Sequence, residues 1–148
     1  MSGTAEYPAI LDGITRARGL LERSIPAPME DTLDFALVEV AEARAVFSAV
    51  PGPHILNPMG IAHGGFAAAL LDSACGIAVL TTLAAGERFS TLELKVAYHK
   101  AIDVRTGPIR AEGSVLTRGR RIAYAEARLF DASRTLLASA TSTLMVLS

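Results

Sequence analysis

The sequence predicts an α+β fold, an antiparallel sheet of five or six strands wrapped around one long central helix. Three observations predict it. Residues 66–86 are mostly apolar and carry a single charge, Asp72, which describes a helix buried nearly all round. Before and after that stretch, apolar and polar residues alternate with the period of two that marks half-buried strands. At 148 residues, half of them hydrophobic, the chain can bury a core of its own, so one domain over residues 1–148 is expected.

The elements follow in order. Ile10, Leu11, Ile14, Leu20 and Leu21, set among charges, predict a short amphipathic helix within residues 8–24, and Pro26 and Pro28 end it and open a connector. Residues 1–30 are therefore helix and connector. Residues 33–40 and 44–50 predict two strands joined by a turn. A loop over 51–64 leads into the central helix, expected from about His63 to Ala85. Leu92, Leu94, Val96 and Tyr98 alternate with Thr91, Glu93, Lys95 and Ala97, a half-buried strand. Residues 107–116, 122–130 and 136–147 predict three more strands in an antiparallel meander, with turns at 117–121 and 131–134. The apolar segment is long enough to span a bilayer, yet it is rich in Ala and Gly, carries Ser73, Thr81 and Thr82, and lacks flanking aromatic or basic anchors.

Several functions are disfavoured by composition. Fourteen basic and fifteen acidic residues give a formal net charge of −1, which supplies no basic field for nucleic acid. His54, His63 and His99 are isolated from one another, and no Cys/His spacing suggests a metal. The lone Cys75 allows no intramolecular disulfide and fits a reducing compartment. Glu6, Asp12 and Arg16 interrupt any secretion-signal pattern, so a cytoplasmic protein is expected, with no membrane partner and no cofactor.

The chemistry concentrates in the run from Asn57 to Asp72. A loop with Gly60, His63, Gly64 and Gly65 enters the helix, and the helix carries one carboxylate. A charge among apolar side chains is costly without a partner or a purpose. Glycines at a helix start let free backbone N–H groups approach a ligand closely. An oxyanion-type donor and a buried acid together point to carbonyl chemistry. Gly65 and Asp72 share a helix face but lie about 10 Å apart at 1.5 Å per residue, too far for one carbonyl to meet both. Two such helices antiparallel across a two-fold axis would bring Asp72 of one chain near Gly65 of the other, so the spacing predicts a site at a symmetric dimer interface.

The pattern Asn57-x-x-Gly60-x-x-His63-Gly64-Gly65, then Leu71-Asp72-x-Ala74-x-Gly76, then Thr91-x-Glu-Leu-x-Val-x-Tyr98, resembles the hotdog-fold acyl-CoA thioesterases of the phenylacetate-degradation (PaaI-like) family. The resemblance covers roughly residues 30–147. It implies an acyl-CoA substrate and a homodimer that pairs again into a homotetramer. Asp72 would be the nucleophile or the general base that activates water. The Gly65 N–H would stabilise the oxyanion. Asn57 would position water or the carbonyl, and His63 would support the loop or the thioester. Thr91 would hydrogen-bond near Asp72; the family's hydroxyl is Ser or Thr here, Ser90 is adjacent, and the spacing to Tyr98 favours Thr91. Gly64, Phe66 and Ser73 would lie near the substrate, and the hairpin residues Arg120 and Arg121 near the phosphates of coenzyme A.

Each residue also has a plainer role open to it. Asp72 could be a surface acid paired to a base, Asn57 a turn former, His63 a loop histidine bonded to backbone, Gly64 and Gly65 a tight turn, and Ser90 and Thr91 ordinary strand residues. Cys75, one turn after Asp72, has no base in a triad-like context and is expected simply to pack. An apolar acyl group suits the Ala-rich helix face, with Ala69 and Leu70, better than a charged one, without deciding between an aryl ring and an alkyl chain. Two rival functions stand beside hydrolysis. One is a hydratase or dehydratase on the same fold; the other is an acyl-CoA-binding module without turnover, for which a buried acid near the carbonyl would bring no gain.

Overall fold

The computed structural model describes residues 10–148. Asp12 caps helix α1 (Gly13–Leu21) by accepting the Thr15 N–H at 2.9 Å, and α1 buries Arg16, Ala17 and Leu20. The first two positions of the helix expected over 8–24 lie outside the described residues. Gly13 is where α1 meets the end of the central helix: a Cβ there would lie 1.7 Å from the Leu80 carbonyl oxygen. Arg16 reaches from the same turn to the Glu87 carbonyl at 2.8 Å. The expected connector holds a second helix, α2 (Pro28–Leu33). Pro28 opens it, because a fixed φ and a missing N–H suit a helix's first turn.

One six-stranded sheet follows, with β1 (Phe35–Ala41), β2 (Arg44–Ala49), β3 (Arg88–Tyr98), β4 (Ile109–Arg118), β5 (Ile122–Asp131) and β6 (Leu136–Leu147). The strand order is β1-β2-β4-β5-β6-β3, and every neighbouring pair is antiparallel. Consecutive strands β4, β5 and β6 form a meander, as expected. Strand β3 instead lies at the far edge beside β6, with Val96 opposite Ala140 and Thr91 opposite Leu144. Alternation reports which face a residue takes and not which strand lies alongside, so this crossover was invisible to it.

The sheet wraps the central helix α3 (Gly64–Leu80). The fit depends on small residues: Ala111 and Gly113 on β4, Ala123, Ala125 and Ala127 on β5, and Ala138 and Ala140 on β6 all face inward and are buried. The backbones come so close that a Cβ on Gly113 would sit 2.3 Å from the Ala74 carbonyl oxygen. Into this lining α3 packs Phe66, Ala67, Leu70, Leu71, Ala74, Cys75, Ala78 and Val79. The remaining stripe, with Ala69, Asp72, Ser73 and Ile77, stays half-buried.

The helix stops five residues before the expected Ala85. The hydroxyls of Thr81 and Thr82 turn back to the carbonyls of Ala78 and Val79, each at 2.7 Å. Thr81 also accepts the Ala43 N–H at 2.7 Å, tying the end of α3 to the β1–β2 turn. Among the described residues no helix is long and apolar enough to cross a membrane.

Candidate active site

The open stripe of α3 faces strand β3, and there the Thr91 hydroxyl donates to the Asp72 carboxylate at 3.0 Å. Ser90 points to the opposite face, as successive strand residues must, and is exposed. A register shift between Thr91 and Glu93 puts Leu92 in a bulge directly after the contact. Asp72 has no basic partner among the ion pairs of the described residues. The plain role of a paired surface acid is therefore not the one the structure gives it. Ser73 lies beside it on the same open stripe.

The loop before α3 is built from its own side chains. The Asn57 side-chain Oδ1 accepts the Met59 N–H at 2.9 Å and the Ile61 N–H at 3.4 Å, and Gly60 takes φ +80° to close the turn. Asn57 thus does have the turn-forming role, and its amide NH2 makes no hydrogen bond among the described residues. The His63 N–H is held by the Ile55 carbonyl at 2.8 Å and the Ala62 N–H by the Ile102 carbonyl at 2.7 Å.

His63 is the N-cap of α3. Its Nδ1 accepts the Gly65 N–H at 2.9 Å. The backbone donor expected to meet an oxyanion is therefore engaged by the adjacent ring. One residue earlier, the Gly64 N–H makes no hydrogen bond among the described residues and stands at the positive end of the helix. Tyr98, at the end of β3, donates its hydroxyl to the Gly64 carbonyl at 2.6 Å. The Gly64 C=O and the Gly65 N–H belong to one peptide group, so Tyr98 and His63 clamp that group from both sides. The clamp also explains the glycines: a Cβ on Gly64 would lie 3.0 Å from the Tyr98 hydroxyl, and one on Gly65 3.0 Å from His63 Nδ1. Sequence reasoning gave Tyr98 no role; a hydroxyl ending an otherwise apolar strand face was the available signal.

An open cleft of about 350 Å³ lies at this helix start, lined by Asn57, His63, Gly64, Tyr98 and Lys100. Asp72 does not line it. Eight residues along α3 separate Asp72 from Gly64, ~12 Å of helix axis.

Other expected contributors fall elsewhere. Phe66 is 4% exposed and belongs to the core, one turn from the fully buried Leu70 on the inward side of α3. Cys75 is fully buried, and burial, with the Asp72 and Glu126 charges adding to it, pushes its thiol up to about 12. No thiolate nucleophile forms there at neutral pH. Arg120 and Arg121 are exposed in the β4–β5 turn, while Arg118 is held by Glu87 at 2.9 Å. The register sets that turn at the Arg88 end of the sheet, opposite the Tyr98 end where Gly64 lies. Among the described residues no three His, Cys, Asp or Glu side chains gather as a metal site.

Comparison with known proteins identifies the family and the fold. Residues 59–138, which contain the start of α3, Asp72, Thr91 and Tyr98, match the family model of the thioesterase superfamily. Among curated proteins no sequence match is found. Solved structures superpose closely. A putative thioesterase from Ralstonia eutropha, a phenylacetic acid degradation-related protein, is 27% identical, with 87% of this chain and 98% of that chain covered and a TM-score of 0.78. A mutant of the phenylacetic acid degradation protein PaaI from Thermus thermophilus is 25% identical over 80% of this chain and 98% of that one, with a TM-score of 0.73. A thioesterase from Haemophilus influenzae shares the fold at 19% identity, covering 81% and 82% of the two chains with a TM-score of 0.75. The six-stranded sheet closed around α3 is the hotdog arrangement, and the chain belongs to the thioesterase superfamily, whose members hydrolyse thioesters.

Proposed function

We propose that this protein hydrolyses the thioester of an aryl- or medium-chain acyl-CoA to the free acid and coenzyme A, at sites shared between two protomers. The observation that supports this most is the pairing of Asp72 with the Thr91 hydroxyl on the one open stripe of a helix whose first backbone N–H is free. Acting as general base, Asp72 takes a proton from water as the water oxygen bonds to the thioester carbon; acting as nucleophile, it bonds to that carbon itself. In either case the carbonyl oxygen gains charge that a backbone N–H at a helix N-terminus stabilises. The C–S bond then breaks, and in the first case the thiolate takes the proton that Asp72 holds. In the second, water hydrolyses the acyl–Asp72 anhydride, which releases the acid, restores the carboxylate and supplies the thiolate's proton. The donor in this scheme is the Gly64 N–H, while Gly65 is held by His63 and serves to orient the peptide. The free Asn57 amide is placed to position water or the carbonyl, from the cleft that would receive the pantetheine arm.

The separation of Gly64 from Asp72 along α3 favours a two-chain site. So does the edge strand β3: it is long, it carries exposed Leu92 and Tyr98, and it has β6 on one side only. Pairing β3 with its copy across a two-fold axis covers that edge and runs two helices antiparallel. Arg120 and Arg121 are the candidates for the coenzyme A phosphates. The same reading makes the protein a cytoplasmic homodimer that assembles into a homotetramer, which the lone free cysteine suits.

Thiol release from a panel of aryl, short-chain and medium-chain acyl-CoAs, measured for wild type and Asp72→Asn, tests the reading. Turnover that falls by about a hundredfold or more in the folded variant is expected. Absence of turnover on every thioester, with acyl-CoA binding intact, would overturn hydrolysis in favour of a binding module.

A further inference from the structure

The N-terminal helices, which lie before the segment that matches the family, border a second, open cavity. Its volume is about 370 Å³, and its apolar walls come from Leu20 of α1, Pro26 and Ala27 before α2, Ile77 and Leu80 of α3, and Phe89 of β3. Its position relative to Asp72 follows from two spacings. On α3, Gly76 is one turn beyond Asp72, and Ile77 and Leu80 follow at ~7 to ~12 Å along the axis. On β3, Phe89 shares the inward face with Thr91, one pleat away, and its ring packs on Gly76, where a Cβ would meet it at 2.9 Å. Along the seam between α3 and β3 the Phe89 ring, packed on Gly76, therefore stands between the Asp72–Thr91 pair and this cavity, whose wall it also forms.

We infer that this cavity receives the distal part of the acyl group, and that the segment from α1 to α2 sets which acyl chains are accepted. The inference rests on the thioesterase reading and names its substrate class: an uncharged medium-length alkanoyl or arylalkanoyl group. A carbonyl held at Asp72 and Thr91 puts the following carbons along the seam, and the span to Leu80 matches the reach of such a group. Arg16 stands in the wall with its guanidinium turned to the Glu87 and Ala84 carbonyls, so it is committed to the fold. Glu30 and Arg88 also line the cavity, one charge of each sign, so the apolar walls rather than a fixed charge set the preference for an uncharged chain. A cavity of this size and lining is of the kind that takes apolar ligands, and the glycine at position 76 gives the Phe89 ring room to lie against α3 in its wall.

The test compares octanoyl-CoA with acetyl-CoA in thiol release, and S-octyl-CoA, a thioether that cannot be hydrolysed, with free CoA in calorimetric binding. Ala27→Phe fills the cavity from the α2 side; Ile77→Phe fills it from α3 and decides the matter if the first variant does not fold. The expected result is that the octanoyl-to-acetyl ratio of kcat/KM and the affinity gained from the octyl chain each fall by about tenfold or more. Ratios within about twofold of wild type in a folded variant would overturn the inference. Should wild type release no thiol from any substrate, the hydrolytic reading fails alone. The thioether then still decides: loss of the octyl increment in the variant supports the cavity's role, and an unchanged increment overturns it.

Discussion

Thr91 and Asp72 form the pair on which the account of the site turns, and the pair is open to a clean perturbation. Thr91→Val keeps the shape and deletes the donor. A hydrogen bond to a charged group contributes about 1.5–3 kcal/mol to stability, so the variant should lose up to that in denaturant titrations. Its kcat should fall by about tenfold or more, because Asp72 loses the group that orients its carboxylate. Gly64→Pro is the sharper test of the oxyanion donor. Proline removes that one N–H, is suited to the first position of a helix, and follows His63, whose φ −57° and ψ 132° a proline successor tolerates. The Tyr98 hydroxyl must yield by a few tenths of an ångström. The variant should fold with its helix content intact and lose about a hundredfold or more in kcat, read by circular dichroism and thiol release. Glu30 gives a prediction in pH. Burial raises its carboxyl above the ordinary 4.5, so the folded chain holds that proton more tightly than the unfolded one. Its contribution to stability is present below pH 4.5 and is lost as pH rises through the raised folded value. Glu30→Gln should therefore flatten the loss of stability as pH rises from 4.5 through the raised folded value, in denaturant titrations at a series of pH values. At this scale the sequence displayed the residue types and hid their geometry. Asp72 stood out as the single charge in residues 66–86, but that Gly65 donates to His63, leaving Gly64 free, depends on a side-chain torsion that no spacing encodes.

Among the elements, α3 is set by the smallness of what surrounds it. The alanines of β4, β5 and β6 let a helix lie inside a curved sheet, and Gly113 is the closest point. Gly113→Ala forces a methyl group into the Ala74 carbonyl and should cost about 2 kcal/mol or more, seen as a lower denaturant midpoint at an unchanged slope. The same elements explain what could be anticipated from sequence. The period-two alternation placed β3, β4, β5 and β6 to within a few residues, because each strand has one buried and one solvated face. Helix α3 was visible from its apolar length, but its end was not, since Thr81 and Thr82 stop it through back-bonds to Ala78 and Val79 rather than through a proline or glycine. Helix α2 escapes the pattern because a proline ends a helix from within and starts one from its first position, and spacing alone does not separate the two cases at Pro28.

At the scale of the whole molecule, topology connects fold to function. The crossover that carries β3 to the far edge puts Thr91 against Asp72 and Tyr98 against Gly64, and leaves the outer edge of β3 unpaired. Long-range order of this kind has no local signature, so the sequence yielded the sheet and the helix while the strand order came from the structure. The spacing of Gly65 and Asp72 was legible, and the expectation of a shared site was drawn from it. The measurement that tests this centre of the account most directly is thiol release from a mixture of Asp72→Asn and Gly64→Pro chains, each inactive alone, after subunit exchange. A mixed dimer would carry one site with both groups intact, so about a quarter of wild-type activity should return on equal mixing. Mixed dimers that form, as native mass spectrometry would register, and still release no thiol would contradict a site built from Asp72 of one protomer and the helix start of its partner.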